Sequence, residues 1–514
     1  MEQLTPLIDN NLASAAWFRP ELVLTFGSIA IFLLDLVWRR SAARRNLLTG
    51  ATLAVLVLAG ILLAVQPLDS TPLFNGMIAS DAFASFFKWL FLAAGALTVL
   101  IVAQGQDFPL PRVGEFYALL LAIVLGLFLM ASATNLLTIY LSIELVSMVS
   151  YILAGFRRHD RKAAEAALKY VIYGSVASGL MLFGMSYLFG LLGTADVLAF
   201  GPKIAALSAT GATGAATKLA LVVAVVFVTA GVGYKIASVP WHMWCPDVYE
   251  GAPTPFTAFL SVGPKAAGFA VALRLFYGAF AGPAGADGFA QSIADIPWPA
   301  IVGVLSAVTM TVGNLTAISQ TNLKRLLAYS SIAHAGYTLM GVAALSTIGM
   351  QGVMIYMSIY VIMNLGAFLV VIVVSEATGS ESIHDYRGLA RRHPLAAVTF
   401  AIFLFSLTGL PPFAGFTGKW YLFYAVIERA AGPGGFWYGV LAVVGALNTA
   451  VSLYYYARII RAMFIDAPER TLVVEPKVGY QVMLGAFSAA ILVIGVWWAP
   501  IVDWAQRSLA LLRA

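Results

Sequence analysis

Residues 234–255 read YKIASVPWHMWCPDVYEGAPTP, and they follow an uninterrupted apolar run, LALVVAVVFVTAGVG, at 219–233. The run can enter a bilayer as a helix, yet Lys235 lies two residues after it, and Pro240 and Pro246 then interrupt the helix. A charged side chain near the bilayer centre costs about 2.5–3.5 kcal/mol on insertion scales, so such residues usually serve a function. The stretch therefore predicts a membrane-spanning helix that is broken beside an ionisable group.

The composition of the chain predicts a membrane protein with many spans. Of its 514 residues, 61% are hydrophobic and 11% are charged, and the mean hydropathy is +0.88. A soluble domain would carry about 25% charged residues. The single cysteine, Cys245, excludes a disulfide framework, and alone it cannot ligate an iron–sulfur cluster or a Cys-based zinc site. Because no nucleotide-binding motif is found either, we expect no cofactor in this chain.

About fourteen segments have the roughly 20 mostly apolar residues that a transmembrane helix needs. We therefore expect an all-α, polytopic membrane protein in which the seventh and twelfth spans are broken. The candidate spans are 20–38, 46–65, 80–103, 114–131, 133–155, 164–193, 217–250 (broken), 254–281, 297–319, 325–346, 350–376, 394–430 (broken), 436–462 and 477–505.

Clusters of basic residues between the spans predict the orientation. They follow the first, fifth, ninth, eleventh and thirteenth spans. The clusters are Arg39, Arg40, Arg44 and Arg45; Arg157, Arg158, Arg161 and Lys162; Lys324 and Arg325; Arg387, Arg391 and Arg392; and Arg458 and Arg461. Because every cluster follows an odd-numbered span, one orientation puts all of them in the cytoplasm and both termini on the outer side.

The chain also contains an internal similarity. TNLLTIYLSIELVSMVSYILAG at 134–155 resembles TNLKRLLAYSSIAHAGYTLMG at 321–341, and the opening stretch has a proline-interrupted counterpart in TGLPPFAGFTGKWYLF at 408–423. The members of each pair lie an odd number of spans apart, so they would have opposite orientations. Paired Gly/Pro interruptions in an inverted repeat are typical of an ion site in transporters.

Five ionisable residues lie deep in predicted spans or beside a break: Glu144, Lys235, Lys265, His334 and Lys419. Lysine suits proton transfer because a buried ammonium group loses its proton more readily than a hydrated one. A neutral imidazole can donate a hydrogen bond at one nitrogen and accept at the other, which suits a relay. The alternative is that these residues form structural pairs, such as Glu144 with Lys235, and the residue types alone leave both possibilities open.

Other ionisable residues have simpler interpretations. Ten of them lie within about two turns of a span end and are interpreted as interfacial anchors. They are Asp35, Asp81, Lys88, Glu115, Lys169, Lys218, Arg274, Glu376, Glu428 and Arg429. His242, beside Pro240, could orient a water molecule or cap the backbone. Because the chain has neither an HExxH motif nor a Cys/His cluster, we expect no metal site.

Several long motifs resemble the antiporter-like membrane subunits of respiratory complex I, the proton-translocating NADH:quinone oxidoreductase. They are PWHMWCPDVYEGAPTP after Lys235, GPKAAG around Lys265, YLSIELVSMVSYIL around Glu144, AYSSIAHAGY around His334, and TGLPPFAGFTGKWYLF, which contains Lys419. The segment PDVYEGAPTP and the lysine at 419 are most similar to the subunit N branch of that family (mitochondrial subunit 2). Cys245 and Thr417 stand where other residues are usual, so we assign Cys245 no role.

The resemblance covers about residues 114–462 and implies a fold of two inverted five-helix repeats. The first repeat would span 114–281 and the second 297–462. Helices 1–3 would occupy 1–113, and a loop and the last helix would occupy 463–514.

The same resemblance implies roles for the five buried residues. Glu144 would be the partner of Lys235. Lys265 and His334 would form a central relay, and Lys419 would be the last group before the outside. These roles are residue assignments carried over from matching motifs.

The resemblance also implies partners and a location. FMN and iron–sulfur clusters would lie in partner subunits. The chain would pack against sister antiporter-like subunits, small membrane subunits and lipid, and it would bind no nucleic acid. Its location would be a bacterial inner membrane.

Three alternatives stay open. They are a subunit of a related cation/proton antiporter, membrane-bound hydrogenase or photosynthetic ferredoxin-linked complex; an independent secondary transporter; and an assembly scaffold.

Overall fold

A computed structural model describes residues 5–68, 70–105, 112–209, 214–283, 285, 288–432, 434–468 and 477–509. The two chain ends, for which an outer location is predicted, lie outside the described residues. Within the described residues the chain is almost entirely helical, and one small hairpin pairs β1 (Thr71–Leu73) with β2 (Ile78–Ser80) in antiparallel register.

Twenty α-helices make up the described fold. In chain order they are α1 (Thr5–Trp17), α2 (Arg19–Val37), α3 (Arg44–Ala64), α4 (Ala82–Gln104), α5 (Val113–Ser132), α6 (Leu136–Ala154), α7 (Arg161–Leu192), α8 (Phe200–Ala209), α9 (Ala215–Ile236), α10 (Trp244–Gly251), α11 (Thr254–Phe280), α12 (Trp298–Ile318), α13 (Leu323–Ala343), α14 (Thr347–Thr378), α15 (Leu389–Arg392), α16 (Pro394–Thr408), α17 (Ala414–Ala430), α18 (Phe436–Phe464), α19 (Val478–Val496) and α20 (Ala499–Leu509).

Twelve of the described helices are long and apolar enough to cross a membrane. They match twelve of the predicted spans. The other two predicted spans correspond to α13, which carries several polar residues, and to α16 with α17, which have 15 and 17 residues. The expected total of fourteen therefore stays a prediction.

The last predicted span, 477–505, is wrong at its C-terminal end. Helix α19 ends at Val496, and α20 is a separate amphipathic helix. Trp504 packs 4.2 Å from Phe86 of α4 (ring centroids), and Val502 O accepts a hydrogen bond from Gln351 of α14. The chain therefore turns at Trp497–Trp498 and lays α20 against α4 and α14.

The basic clusters gather at one end of the helix bundle, which we call the basic end. Their contacts are Arg45 with Gly105 O, Lys162 with Glu250, Lys324 with Glu381, Arg387 with Asp466, and Arg458 with Ile318 O. Each contact joins segments that the predicted topology puts on the same side. Which side of the membrane this end faces stays a prediction.

One backbone pattern occurs twice in the fold. Leu136 N donates to Ala195 O at 2.8 Å and Val197 N donates to Thr134 O at 2.9 Å, joining the start of α6 to the segment after α7. Leu323 N donates to Glu381 O at 2.8 Å and Ile383 N donates to Thr321 O at 2.9 Å, joining the start of α13 to the segment after α14. The two segments that resemble each other in sequence thus open helices with the same hydrogen bonds.

Helices α11 and α14 form the centre of the bundle. Almost all residues in the apolar stretches of these two helices are buried. Helices α2, α3, α12 and α18 instead expose much of their apolar stretches. Helices α11 and α14 pack against each other, and α13 packs against α14. The seam between α11, α13 and α14 therefore lies furthest from the lipid-facing surface.

The interfacial interpretation of the ten ionisable residues is wrong for several of them, because they form buried ion pairs. Asp81 binds Arg274 at 2.8 Å, Lys88 binds Glu21 at 2.6 Å, and Asp35 binds Arg44 at 2.6 Å. Pairing compensates the cost of burial that an isolated charge could not bear.

Candidate functional site

The five candidate residues occupy different helices. Glu144 lies on α6, Lys235 on α9, Lys265 on α11, His334 on α13 and Lys419 on α17. The side chains of Lys235, Lys265 and His334 are each 2% exposed and that of Lys419 is 4% exposed, whereas Glu144 is half-buried.

Lys235 and Glu144 do not form an ion pair, and each is hydrogen-bonded to a different serine. Lys235 Nζ donates to Ser147 Oγ at 3.0 Å, and Ser147 lies one turn after Glu144 on α6. The Glu144 carboxylate accepts a hydrogen bond from Ser178 of α7. The partnership that the resemblance implies is thus indirect in this structure.

The break after Lys235 is closed by local backbone contacts. Ala237 adopts a left-handed conformation with φ 60°, and Ser238 N bonds back to Gly233 O at 2.8 Å, which ends α9. Val239 N then donates to Thr309 Oγ1 of α12 at 3.0 Å. The break thus leaves Lys235 in the last turn of a helix that stops inside the protein.

Lys265 reaches from α11 to α13. It follows Pro264, which has no backbone N–H to donate within the helix. Lys265 Nζ donates to Ser331 Oγ at 2.5 Å and to Ser331 O at 3.0 Å. Tyr249 of α10 lies 3.4 Å from the same hydroxyl, so the half-helix after the first break also contacts this point.

His334 lies between two tyrosines. Its Nδ1 is hydrogen-bonded to the Tyr356 hydroxyl of α14, and its Nε2 lies 3.2 Å from the Tyr456 hydroxyl of α18. The Tyr456 hydroxyl is also hydrogen-bonded to Ser330 Oγ at 2.5 Å. Because Ser330 directly precedes the serine that binds Lys265, the contacts of Lys265 and His334 meet on one turn of α13.

Lys419 lies beside the second break. Its Nζ donates to Thr408 O, the last carbonyl of α16, at 2.8 Å, and it stands 4.3 Å from the centroid of the Tyr337 ring. A carbonyl that the break leaves without a helical partner is thereby satisfied by an ammonium group. The aromatic face adds a cation–π contact.

A polar network continues beyond Tyr337. Its hydroxyl accepts from Asn314 Nδ2 at 3.0 Å, and Asn314 Oδ1 accepts from Tyr455 at 3.0 Å. Asn314 also donates to Asn448 Oδ1 at 3.1 Å. These side chains connect α12, α13 and α18 next to Lys419.

The structure thus brings the contacts of Lys265 and of His334 onto adjacent serines of α13, and it brings the other residues near by separate contacts. A Cβ added at Gly268 would lie 3.5 Å from Lys235 Cγ, so α11 touches the lysine stem one turn after Lys265. Tyr337, which contacts Lys419, lies one turn after His334 on α13. Glu144 stands apart on α6.

Sequence reasoning missed the uncharged members of the site. Ser330, His334 and Tyr337 share a face of α13, so their helical spacing in AYSSIAHAGY could have revealed two of them. Tyr356 and Tyr456 come from distant helices. In a chain with many tyrosines in apolar spans, nothing local distinguishes them.

Three other expectations concern His242, Cys245 and metal binding. His242 Nδ1 is buried and makes no hydrogen bond within the described residues, so a role at the break stays a prediction. Cys245 is a buried free thiol. Within the ranges that the structure describes, no group of three or more His, Cys, Asp or Glu side chains could hold a metal ion.

A charge network anchors α10 at the basic end. Asp247 accepts from Lys169 and from Arg325, both at 2.6 Å. Glu250 accepts from Arg325 at 3.0 Å and from Lys162 at 2.8 Å. Arg325 thus ties the half-helix of the first break to α13.

A polar cavity of about 570 Å³ lies beside this network, and we call it the basic-end cavity. Its lining includes the start of α11 and the end of α14, at Thr254 and Ser375. Four carboxylates also line it: Asp160, Glu250, Glu376 and Glu381. Water can therefore approach the seam between α11, α13 and α14 from this end.

Comparison with known proteins identifies relatives along the full chain. A family model described as "NADH:quinone oxidoreductase/Mrp antiporter, TM" matches residues 133–446. The NADH-quinone oxidoreductase subunit N of Anaeromyxobacter sp. (strain Fw109-5) is 70% identical to this chain, and the alignment covers 100% of each of the two chains.

Solved structures agree with this relationship. A chain of respiratory complex I from Thermus thermophilus, determined with bound aureothin, is 31% identical with a TM-score of 0.76, covering 94% of this chain and 98% of the other. A chain of an archaeal membrane-bound sulfane sulfur reductase shares the fold at 20% identity, with a TM-score of 0.79 and 98% coverage of both chains.

Proposed function

This chain belongs to the subunit N family of NADH-quinone oxidoreductases, the antiporter-like membrane subunits of complex I, and from that premise we propose that Glu144, Lys235, Lys265, His334 and Lys419 carry protons across the membrane. The protein acts as a subunit of a proton-translocating NADH:quinone oxidoreductase. Electron transfer from NADH to quinone takes place in other subunits and supplies the energy.

One observation carries the proposal: the contacts of Lys265 and His334 meet on adjacent serines. Lys265 Nζ is 2.5 Å from Ser331 Oγ, and Ser330 is linked through Tyr456 to His334. Hydroxyl groups can donate and accept in turn, so a proton leaving the lysine needs one step between adjacent serines to reach the hydroxyls that are linked to the imidazole. A purely structural ion pair would not need a lysine, a histidine and hydroxyls in series.

The partner surface of Glu144 supports a place inside a complex. Glu144 is half-buried in the isolated chain, near the exposed side chains of Leu141 and Met148 on α6. A carboxylate that faces lipid at this depth is costly. We therefore place a neighbouring membrane subunit on this face, and we assign FMN and iron–sulfur clusters to partner subunits.

For topology, we propose the bacterial inner membrane with the basic end in the cytoplasm and both termini on the periplasmic side. The positive-inside rule supports this orientation. We also propose four parts, with helices 1–3 at 1–113, inverted repeats at 114–281 and 297–462, and a C-terminal part at 463–514. The recurring hydrogen bonds at the starts of α6 and α13 support the correspondence between the two repeats.

The alternative in the same superfamily is a subunit of a cation/proton antiporter or of another membrane-bound redox complex. The matching family model includes Mrp antiporters, and the sulfane sulfur reductase chain shares the fold. Membranes that lack this protein discriminate between the two: loss of NADH-driven quinone reduction supports complex I, whereas loss of cation-dependent antiport alone supports the alternative.

The experiment that tests the proposal substitutes Lys235→Ala in native membranes. After assembly of the complex is verified, NADH:quinone turnover and proton pumping are recorded together. Both should fall by about tenfold or more, since positioned proton-transfer groups contribute at least that much. Lys203→Ala, at an exposed lysine that binds the Leu192 carbonyl, is the matched control and should leave both rates unchanged. Normal turnover and pumping in the Lys235 variant would mean that the lysine is a structural charge.

A further inference from the structure

Helix α14 presents a polar stripe to the central seam. Tyr356, Tyr360 and Asn364 are spaced four residues apart, so they lie on one face of the helix. Tyr356 is hydrogen-bonded to His334, and the Tyr360 ring centroid lies 5.4 Å from that of His334. The third member of the stripe, Asn364, faces α11.

The hydrogen bonds around Asn364 leave one of its atoms unpaired. Ser261 Oγ donates to Ala258 O at 2.6 Å, so its oxygen can only accept from a further partner. Asn364 Nδ2 donates to this oxygen at 2.5 Å. The orientation of the amide is thereby determined, and Oδ1 is the buried atom that accepts no hydrogen bond within the described residues.

The Tyr360 hydroxyl is the second unpaired group on the stripe. It is buried and faces Ser331, the serine that binds Lys265, but no hydrogen bond of good geometry pairs it within the described residues. Buried polar atoms in proteins are normally paired with protein or with ordered water. Two such atoms on successive turns of one helix can both bind a buried water molecule, which needs two to four polar partners.

The order of residues along the helices places this pair between the basic-end cavity and Lys265. Helix α11 begins at Thr254 in the lining of the cavity, passes Ser261 and reaches Lys265 one turn later. Helix α14 passes Tyr360 and Asn364 and then reaches Ser375 in the same lining. Both helices therefore put the unpaired groups on the cavity side of the lysine or level with it.

We propose that Tyr360 and Asn364 hold an internal hydration site through which protons from the basic-end cavity reach Lys265. The two residues are positioning residues: they orient water by the Asn364 Oδ1 acceptor and the Tyr360 hydroxyl, and they carry no charge themselves. The inference rests on the proposed function of Lys265 and adds the route by which that lysine is loaded. Protons move along hydrogen bonds, so no other reactant is needed.

Tyr360→Phe and Asn364→Leu test the proposal in the assembled complex. Each removes the polar atoms and keeps most of the volume, so packing is preserved. We expect turnover per assembled complex to fall several-fold and the ratio of rates in H₂O and D₂O to rise, because water-mediated delivery becomes limiting. Asn364→Ser, which restores a small polar group, should recover part of the rate.

Tyr386→Phe is the matched control. The Tyr386 hydroxyl is also buried and unpaired within the described residues, but it lies in the short 3-10 helix Ile383–Tyr386, away from the seam. Its removal should leave the rate and the isotope effect unchanged. A water-resolving structure of the complex should show a water at hydrogen-bond distance from both Asn364 Oδ1 and the Tyr360 hydroxyl.

The outcomes separate this inference from the proposed function. If Lys265→Ala abolishes pumping while Tyr360→Phe and Asn364→Leu keep the normal rate and isotope effect, the hydration site is wrong and the function of Lys265 stands. If Lys265→Ala also keeps normal pumping, the proposed function fails. A dry seam in which Asn364 Oδ1 binds a protein donor would likewise overturn the hydration site.

Discussion

Gly268 determines how closely α11 approaches the stem of Lys235. A Cβ at this position would lie 2.6 Å from Ile236 Cγ2, and this methyl group cannot turn away freely because it branches from Cβ. Gly268→Ala should therefore push α9 from α11, move Lys235 from Ser147 and lower turnover several-fold, with about 1–3 kcal/mol of lost stability. Turnover per assembled complex in native membranes measures the effect.

Gly278→Ala on the same helix is the control for that substitution. Its added Cβ would meet Leu198 Cδ2 at 3.4 Å, an ordinary contact, so activity should be unchanged. Ile236→Leu removes the clashing branch and should restore much of the activity of the Gly268 variant. If both alanine variants show the same turnover, the close approach of the helices at Gly268 does not affect function.

At the scale of elements, α10 is a helix that tertiary contacts must hold. It has eight residues, and isolated helices shorter than about 12–15 residues are marginal in water. Trp244, the first residue of α10, stacks on Tyr170 with ring centroids 4.4 Å apart, and Arg325 binds Asp247 and Glu250 further along the helix. These anchors keep Tyr249 against the hydroxyl that Lys265 binds.

Arg325→Gln should loosen α10. The three charged groups are partly exposed, so we expect a modest loss of stability but a clear rise in amide hydrogen exchange over 244–251, together with lower turnover. Hydrogen exchange with mass spectrometry on the purified complex measures this. Arg391→Gln, at an exposed arginine of the same end, is the control. Unchanged exchange over 244–251 would mean that Trp244 and packing alone hold the half-helix.

Particular elements indicate how far the sequence could predict this molecule. Apolar length predicts twelve helices well, because a membrane span must satisfy its own backbone. Prolines 240, 411 and 412 indicate where helices stop, but the left-handed Ala237 that closes α9 has no signal in its residue type. The start of α20 has no clear signal in the sequence, because its apolar residues continue those of α19. Tyr356, Tyr456 and Asn364 could not be assigned, since their roles arise from contacts between helices far apart in the chain.

At the scale of the whole molecule, one buried ion pair joins the N-terminal helices to the rest. Arg274 of α11 forms two hydrogen bonds with Asp81, at 2.8 and 2.9 Å, and its Nε donates to Ala131 O in the last turn of α5. The guanidinium also lies 4.9 Å from the Phe83 ring centroid of α4. The side chains are 3% and 6% exposed, so the pair is desolvated. Three separate segments thus converge on one charge.

Asp81→Asn tests this connection without disturbing the helix start. Asp81 also caps α4 through a 2.7 Å hydrogen bond from Ala84 N, and asparagine caps helices equally well, so the substitution keeps the cap while it removes the negative charge and one of the two oxygens that accept from Arg274. A buried guanidinium left unpaired should cost about 3–5 kcal/mol. We expect less assembled complex on native gels and a lower temperature of dissociation, whereas turnover per assembled complex stays normal because neither side chain touches the five proton-transfer candidates. Adding Arg274→Met removes the orphaned charge and should recover part of the loss. Normal assembly of the Asp81 variant alone would show that helix packing, and not this pair, joins the N-terminal helices to the repeats.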